Sequence, residues 1–371
     1  MLRCGLCPID EPRRSSRVVD VIATVSTVKD TLANVQRFVR GNLAGGVDHM
    51  VVFLDAPDAE VEAWLAGQEH VTHLVADDTW WGGKRPADLN NRQRMHANIT
   101  KAVLTVVPGV DWLFHVDADE ICQIDRAAIA AVPASYDAVR LAPLEAVSRK
   151  HWDADPTWFK QLLDEPDLRL LEVLGVIEKP ANGHLFHGHV EGKTATRPRL
   201  DRWLTIHRTV DEQREEVPHF TAPGLRVLHY ESYSGEDFVR KWSSMLAAGP
   251  QVSLRPVRER TKAAVQALVG KPLSPELREE YLFRIFEATT EDDFDTLREL
   301  GLLVEVDPTR GTHTPEPFAG KDELVAALAA LAAHPKGAFG VCKPAGPVTE
   351  VLSHLGAGDG KRSWWRKNGR S

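Results

Sequence analysis

From residue 18 to residue 116 the chain alternates short apolar, β-branched runs with segments of helical period. Few arrangements other than a mainly parallel sheet covered by helices on both faces accept that alternation. Strands are expected at 18–25, 50–54, 71–75 and 112–116, and helices at 31–43, 59–66 and 91–106. In the first helix Leu32, Val35 and Val39 fall on one face. A further strand at 136–141 is followed by an irregular stretch, 142–221, rich in Trp, His, Gly and Pro, which suits the lining of a site better than a core. Ser234 with Asp237 three residues on reads as a helix start, opening a helix over 235–248. Helices at 257–269, 275–288, 291–300 and 322–333 make the last third helical. The expected organisation is a tail at 1–16, a catalytic domain at 17–250, a helical extension at 251–340 and a basic tail at 341–371.

Composition narrows the function classes. The formal net charge is -8, and a nucleic-acid binder would need a basic face to neutralise phosphates. No run approaches the ~20 apolar residues of a membrane span, and the first thirty residues lack the apolar stretch of a signal peptide. Cys4, Cys7, Cys122 and Cys342 are too few and too scattered for a disulfide framework, so a reduced, cytoplasmic setting is expected. The Cys4/Cys7 pair has no second ligand pair near it to complete a zinc site. Residues 361–371 carry Lys361, Arg362, Arg366, Lys367 and Arg370 around Trp364 and Trp365. That tail reads either as a solvated terminus or as a peripheral contact with an anionic inner membrane face. Oligomeric state is not legible.

The chemistry concentrates at Asp117-Ala118-Asp119-Glu120, directly after the apolar strand Trp112-Leu113-Phe114-His115-Val116. Ligands of open parallel sheets bind beyond the carboxyl ends of the strands, and three carboxylates gathered there call for a cation. In an extended chain Asp117 and Asp119 would share one side, suited to a hard divalent ion, Mg²⁺ or Mn²⁺, and its diphosphate ligand. The plain alternative is a set of solvated or capping acids.

The Trp112-to-Glu120 stretch resembles the D-x-D-E segment of family 2-like glycosyltransferases. Phe53-Leu54-Asp55, Asn91-Arg92-Gln93 and Leu228-His229-Tyr230-Glu231-Ser232 extend the resemblance over roughly residues 17 to 245. It implies an α/β fold of the GT-A kind: Rossmann-like, with a mainly parallel sheet flanked by helices. It also implies transfer of a sugar from a nucleotide-sugar donor to a hydroxyl acceptor, with inversion. On that reading Asp55 meets the base or ribose, and Thr24 and Ser26 border the same pocket. Asp117 lies near ribose and metal, Asp119 binds the metal, and His229 completes its coordination. His229 as a buried structural histidine is the competing reading.

Lys84, in the Trp80-to-Arg85 loop, and Arg92, at a helix start, are the chosen partners of the diphosphate, with solvated loop charges as the alternative. Among Glu145, Glu178, Glu191 and Asp201, Glu191 is chosen as the base, because glycines at 188 and 192 make a tight loop around it. His184, His187 and His189 suit ligand contacts better than a zinc cluster, given their irregular spacing. Trp80, Trp81, Trp152, Trp158, Trp203 and Trp242 offer rings for sugar stacking or for core.

Two other classes compete. A nucleotidyltransferase or metal-dependent phosphohydrolase predicts a Gly-rich, Lys-bearing loop after the first strand, and residues 24–31 contain no glycine. A non-catalytic carbohydrate- or nucleotide-sugar-binding protein would keep the fold without turnover.

Overall fold

The computed structural model describes residues 21–247, 256–332 and 334–340. The tails at 1–16 and 341–371, with Cys4, Cys7, Cys342 and the two terminal tryptophans, lie outside the described residues.

The first half is a doubly wound parallel sheet. Its elements are β1 (Val21–Val28), α1 (Leu32–Ala44), β2 (His49–Leu54), α2 (Ala59–Ala66), β3 (Val71–Val75), α3 (Asp78–Trp81), α4 (Leu89–Leu104) and β4 (Val110–His115). Every residue of β1 is buried, which its β-branched run requires of a central strand. β1 pairs in parallel with β2 on one side and β4 on the other, and β3 lies beyond β2. The chain therefore winds outward through β2 and β3, then returns past its start to β4. That return puts a switch point, and hence a crevice, beyond the ends of β1 and β4.

Alternation along β1 divides the core. Ile22 and Val28 join Val35, Phe38 and Val39 of α1 and Val61 and Leu65 of α2 on one face. Val21, Ala23 and Val25 join Trp80 and Trp81 of α3 and Ala97, Ile99 and Val103 of α4 on the other. Thr31 and Asp58 cap α1 and α2 through their side-chain oxygens, which fixes where those helices begin.

The second half continues through β5 (Glu120–Ile124), α5 (Arg126–Ala130), β6 (Ala138–Ala146), β7 (Trp158–Lys160), α6 (Glu165–Val173), α7 (Asn182–Leu185), β8 (Lys193–Thr196), β9 (Trp203–Leu204), β10 (Thr209–Val210), β11 (His219–Phe220) and β12 (Leu225–His229). β8 runs antiparallel between β4 and β6. The long β6 serves two sets of neighbours: Ala138 to Leu141 pair with β8, while Ala142 to Glu145 pair with β12. β12 in turn pairs antiparallel with β5, bringing His229 opposite Glu120. The stretch expected to be irregular thus holds several short strands, two of which, β9 and β10, form a separate two-residue hairpin.

The C-terminal elements are α8 (Gly235–Ala247), α9 (Pro256–Val269), α10 (Pro275–Thr289), α11 (Phe294–Glu299), β13 (Leu303–Glu305) and α12 (Lys321–Leu331). Ser234 Oγ accepts from the Asp237 amide at 3.1 Å, the expected cap of α8. Phe238 and Trp242 of α8 pack with Leu282 and Phe286 of α10. α12 buries Leu324, Ala327, Leu328 and Leu331 in the core that α4 occupies, and β13 pairs with β7. None of the described helices is long and apolar enough to cross a membrane.

Candidate metal and donor site

The acidic segment is not extended. The Asp117 amide donates to Glu120 Oε2 at 2.7 Å and the Glu120 amide donates to the Asp117 carbonyl at 3.1 Å, closing a turn between β4 and β5. The two aspartates therefore take different partners. Asp117 accepts from Lys193 Nζ at 2.6 Å and Gln93 Nε2 at 2.5 Å. Asp119 accepts from Lys241 Nζ at 2.7 Å and lies 3.7 Å from His229 Nε2.

His229 ends β12 and is nearly buried, with Nε2 3.7 Å from Asp119 and 3.8 Å from Glu231, and Nδ1 3.7 Å from Glu145. Its ring stacks on His189 at 4.8 Å, and His189 leans on His207 at 4.2 Å. Burial pushes His229 down, but Asp119, Glu120 and Glu231 together outweigh it and raise it to about 9. Burial likewise pushes Asp119 up, and Lys241 and His229 reverse that, holding it well below the usual range. Glu231 is pushed down against burial by Arg258, Lys241 and His229.

Among the described residues, two groups of three donors stand close enough to hold one metal ion: Asp119, His229 and Glu231, and Glu120, His189 and His229. The first fits a hard divalent ion best, with two carboxylates and an imidazole and with Asp119 side-chain exposure of 25% giving access. Glu120 is fully buried and already accepts from His189 at 2.7 Å and from the Asp117 amide. Its carboxyl is held low because Lys193 and His189 outweigh burial. Asp117 belongs to neither group. The turn aims its carboxylate at Lys193 and Gln93, not along the extended chain that the expected sharing of one ion with Asp119 assumes. Glu231, inside the quoted Leu228-to-Ser232 stretch, takes the third place.

The crevice wall is tied together by the first turns of α4. Arg92 donates from Nε and Nη2 to the two oxygens of Asp55, both at 2.8 Å, and from Nη1 to the carbonyls of Pro86 and Ala87. Gln93, the next residue, holds Asp117. Consecutive residues thus lash the end of β2 to the end of β4. Nε, Nη1 and Nη2 of Arg92, the residue expected to meet a diphosphate, all have partners in that role. Arg85 adds a second guanidinium to Asp55 at 3.0 Å, while Lys84 is exposed on a turn whose Gly82 and Gly83 are left-handed. Thr24 and Ser26, expected at the border of the donor pocket, are 0% and 1% exposed on the face of β1 that carries Ile22 and Val28, and neither hydroxyl has a hydrogen-bond partner. Thr27 faces the α4 side instead and bonds His96 Nδ1 at 2.8 Å.

Glu191 is 39% exposed and pairs with Arg208 at 2.9 Å, in the loop that carries His189. The other carboxylates considered for the base are placed differently. Glu145 is fully buried, accepts from the amides of His187 and Gly188 and pairs with Lys160, whereas Glu178 pairs with Arg260 on the surface. His184, His187 and His189 diverge to Glu178, Asp292 and Glu120 respectively. Trp80, Trp81, Trp203 and Trp242 are core, and Trp152 and Trp158 pack edge-on against Phe294.

Gly188 allows the close approach on which the site depends: a Cβ there would stand 2.2 Å from His229 Cε1 and 2.7 Å from Glu145 Oε2. Lys241 carried no signal of its own. The nearest hint is that α8 begins six residues after His229, so its early turns must pass close by.

No family model matches the chain, and no curated protein does. Among solved structures, HddC from Yersinia pseudotuberculosis is 10% identical, with a TM-score of 0.31 over 61% of this chain and 99% of that one. The mannosyltransferase PcManGT from Pyrobaculum calidifontis, in complex with GDP-Man and Mn²⁺, is 10% identical with a TM-score of 0.33, over 93% of this chain and 90% of that one. The galactosyltransferase LgtC, with donor and acceptor sugar analogues, is 14% identical with a TM-score of 0.24, over 48% of this chain and 58% of that one. Similarities this distant identify neither family nor activity.

Proposed function

We propose that the chain is a metal-dependent glycosyltransferase that moves a sugar from a nucleotide-sugar donor to a hydroxyl acceptor. The observation that carries this reading is the meeting of Asp119, His229 and Glu231 beside the switch point of a doubly wound sheet. Asp119, His229 and Glu231 would hold Mn²⁺ or Mg²⁺. A divalent ion bound there supplies Lewis-acid stabilisation of the diphosphate leaving group.

The chain's own groups carry the remaining requirements. Asp117, oriented by Gln93 and Lys193, presents a fixed carboxylate to ribose hydroxyls. Asp55, clamped by Arg92, shapes the nucleoside end of the crevice. Lys84, exposed on the turn after α3, would meet phosphate charge, while Arg85 stays on Asp55. Glu191, half-exposed and held only by a surface arginine, takes the acceptor proton in an inverting displacement.

Thermal-shift screening of nucleotides and nucleotide sugars, with and without Mn²⁺, tests the reading, since ligand bound to the native state stabilises it by mass action. A metal-dependent rise with at least one nucleotide sugar is expected. Absence of any metal-dependent shift across uridine, guanosine, thymidine, adenosine and cytidine donors would contradict it.

A further inference from the structure

The Lys241 ammonium, projecting from α8, lies 2.7 Å from Asp119 Oδ2 and 2.8 Å from Glu231 Oε2. These carboxylates supply two of the three donors of the Asp119, His229, Glu231 group. An ammonium bonded to both oxygens fills the space that a divalent ion between them would need, and two cations in contact there repel. We propose that Lys241 is a built-in occupant of the metal seat, a tethered cation that a divalent ion must displace in order to bind. The proposal rests on the reading of this cluster as a metal site.

Three features suit Lys241 to that exchange. α8 is anchored by buried Phe238 and Trp242, so the side chain can leave without the helix. The Lys241 side chain is 23% exposed, and its flexible four-carbon stem has a way out to water. Arg258 holds Glu231 chiefly at Oε1, at 2.9 Å, with a longer contact of 3.4 Å to Oε2, and Ser232 Oγ donates to Oε1 at 2.8 Å, so Glu231 keeps partners when the ammonium departs. In the metal-free protein the arrangement neutralises carboxylates whose mutual repulsion would otherwise burden the folded state. Once displaced, the ammonium stays tethered beside the seat, where a diphosphate arriving with the metal offers it a new partner.

Mn²⁺ binding, followed by electron paramagnetic resonance with the metal alone, distinguishes this from general electrostatics. The full-length wild type is compared with Lys241→Met and Arg258→Met, which each remove one positive charge bonded to Glu231. Because a seat open only part of the time weakens apparent affinity by that fraction, Lys241→Met should bind Mn²⁺ about 10-fold tighter or more, and Arg258→Met should stay within about threefold of wild type. Equal tightening in both variants overturns the proposal, and so does unchanged or weaker binding by Lys241→Met; either leaves the metal-site reading standing. No Mn²⁺ binding by any of the three overturns that reading as well. Circular dichroism checks folding, and Lys241→Gln, which keeps a donor without the charge, replaces the Met variant if that variant does not fold.

Discussion

His229 stands where Asp119, Glu145 and Glu231 converge on one imidazole and a second ring, His189, stacks on it. Its orientation depends on the bare backbone of Gly188, so Gly188→Ala should push the ring aside and lower Mn²⁺ affinity by about 10- to 100-fold with the fold retained. Calorimetric titration of Mn²⁺ checks this, and undiminished affinity would show that His229 is no ligand. Glu191→Gln should lower turnover by about 100-fold or more while donor binding stays as in wild type, because it removes a proton acceptor and no metal ligand. Steady-state turnover beside a donor titration separates the two, and a loss confined to donor affinity would move the base elsewhere. At this scale the position of Asp119 just beyond β4 and of His229 at the end of β12 was legible, because each follows an apolar run that had to be a strand. The divergence of Asp117 from Asp119 was not, since it follows from a turn closed by Glu120. Nor was Lys241, whose partners lie 122 and 10 residues away.

Long periodic elements were readable, and short ones stabilised by distant partners were not. α2 spans Ala59–Ala66 and β3 spans Val71–Val75, within the bounds that their apolar spacing predicts. β5 carried no such sign: it follows an acidic turn, pairs with β12 on one edge and meets a helix on the other. On that second edge Asn42 of α1 takes the place of a strand, accepting from the Cys122 amide and donating to the Glu120 carbonyl, both at 2.9 Å. Gly45 lets α1 end this close, since a Cβ there would fall 1.9 Å from the Cys122 carbonyl oxygen. Asn42→Ala should cost about 2 to 4 kcal/mol by stranding two buried backbone groups. Urea unfolding measures that cost, and a loss below about 1 kcal/mol would mean that β5 does not depend on this amide.

Across the whole molecule, the winding of β1 to β4 places the site, and buried neutral imidazoles support the core around it. Burial lowers His49 to about 3 and His115 to about 4, and His96 lies well below the ordinary histidine range for the same reason. His96 accepts from Trp80 Nε1 at 3.2 Å, which requires a bare Nε2. Below pH ~6.5 the unfolded chain takes up protons that these groups refuse, so stability falls as pH falls, by up to about 1.4 kcal/mol per unit for each. His229, raised instead, stays protonated in the folded chain across that window, so it opposes the loss slightly near pH 6.5 and adds almost nothing near pH 5. A loss of about 3 kcal/mol or more between pH 6.5 and pH 5 is expected from urea midpoints, and an unchanged midpoint would contradict it. The parallel half of the fold was legible because its strands are buried on both faces; the crossing of β6, β8 and β12 was not, because it rests on pairings remote in sequence. On the proposed function, Asp119, on the turn after β4, holds a divalent ion used in nucleotide-sugar chemistry. Release of nucleoside diphosphate from a panel of nucleotide sugars, with Mn²⁺ and with chelator, in wild type and Asp119→Ala, tests it most directly. Wild type should release nucleoside diphosphate only with Mn²⁺, and Asp119→Ala only at background; release that survives both chelation and Asp119→Ala would mean that Asp119 holds no metal used in the reaction.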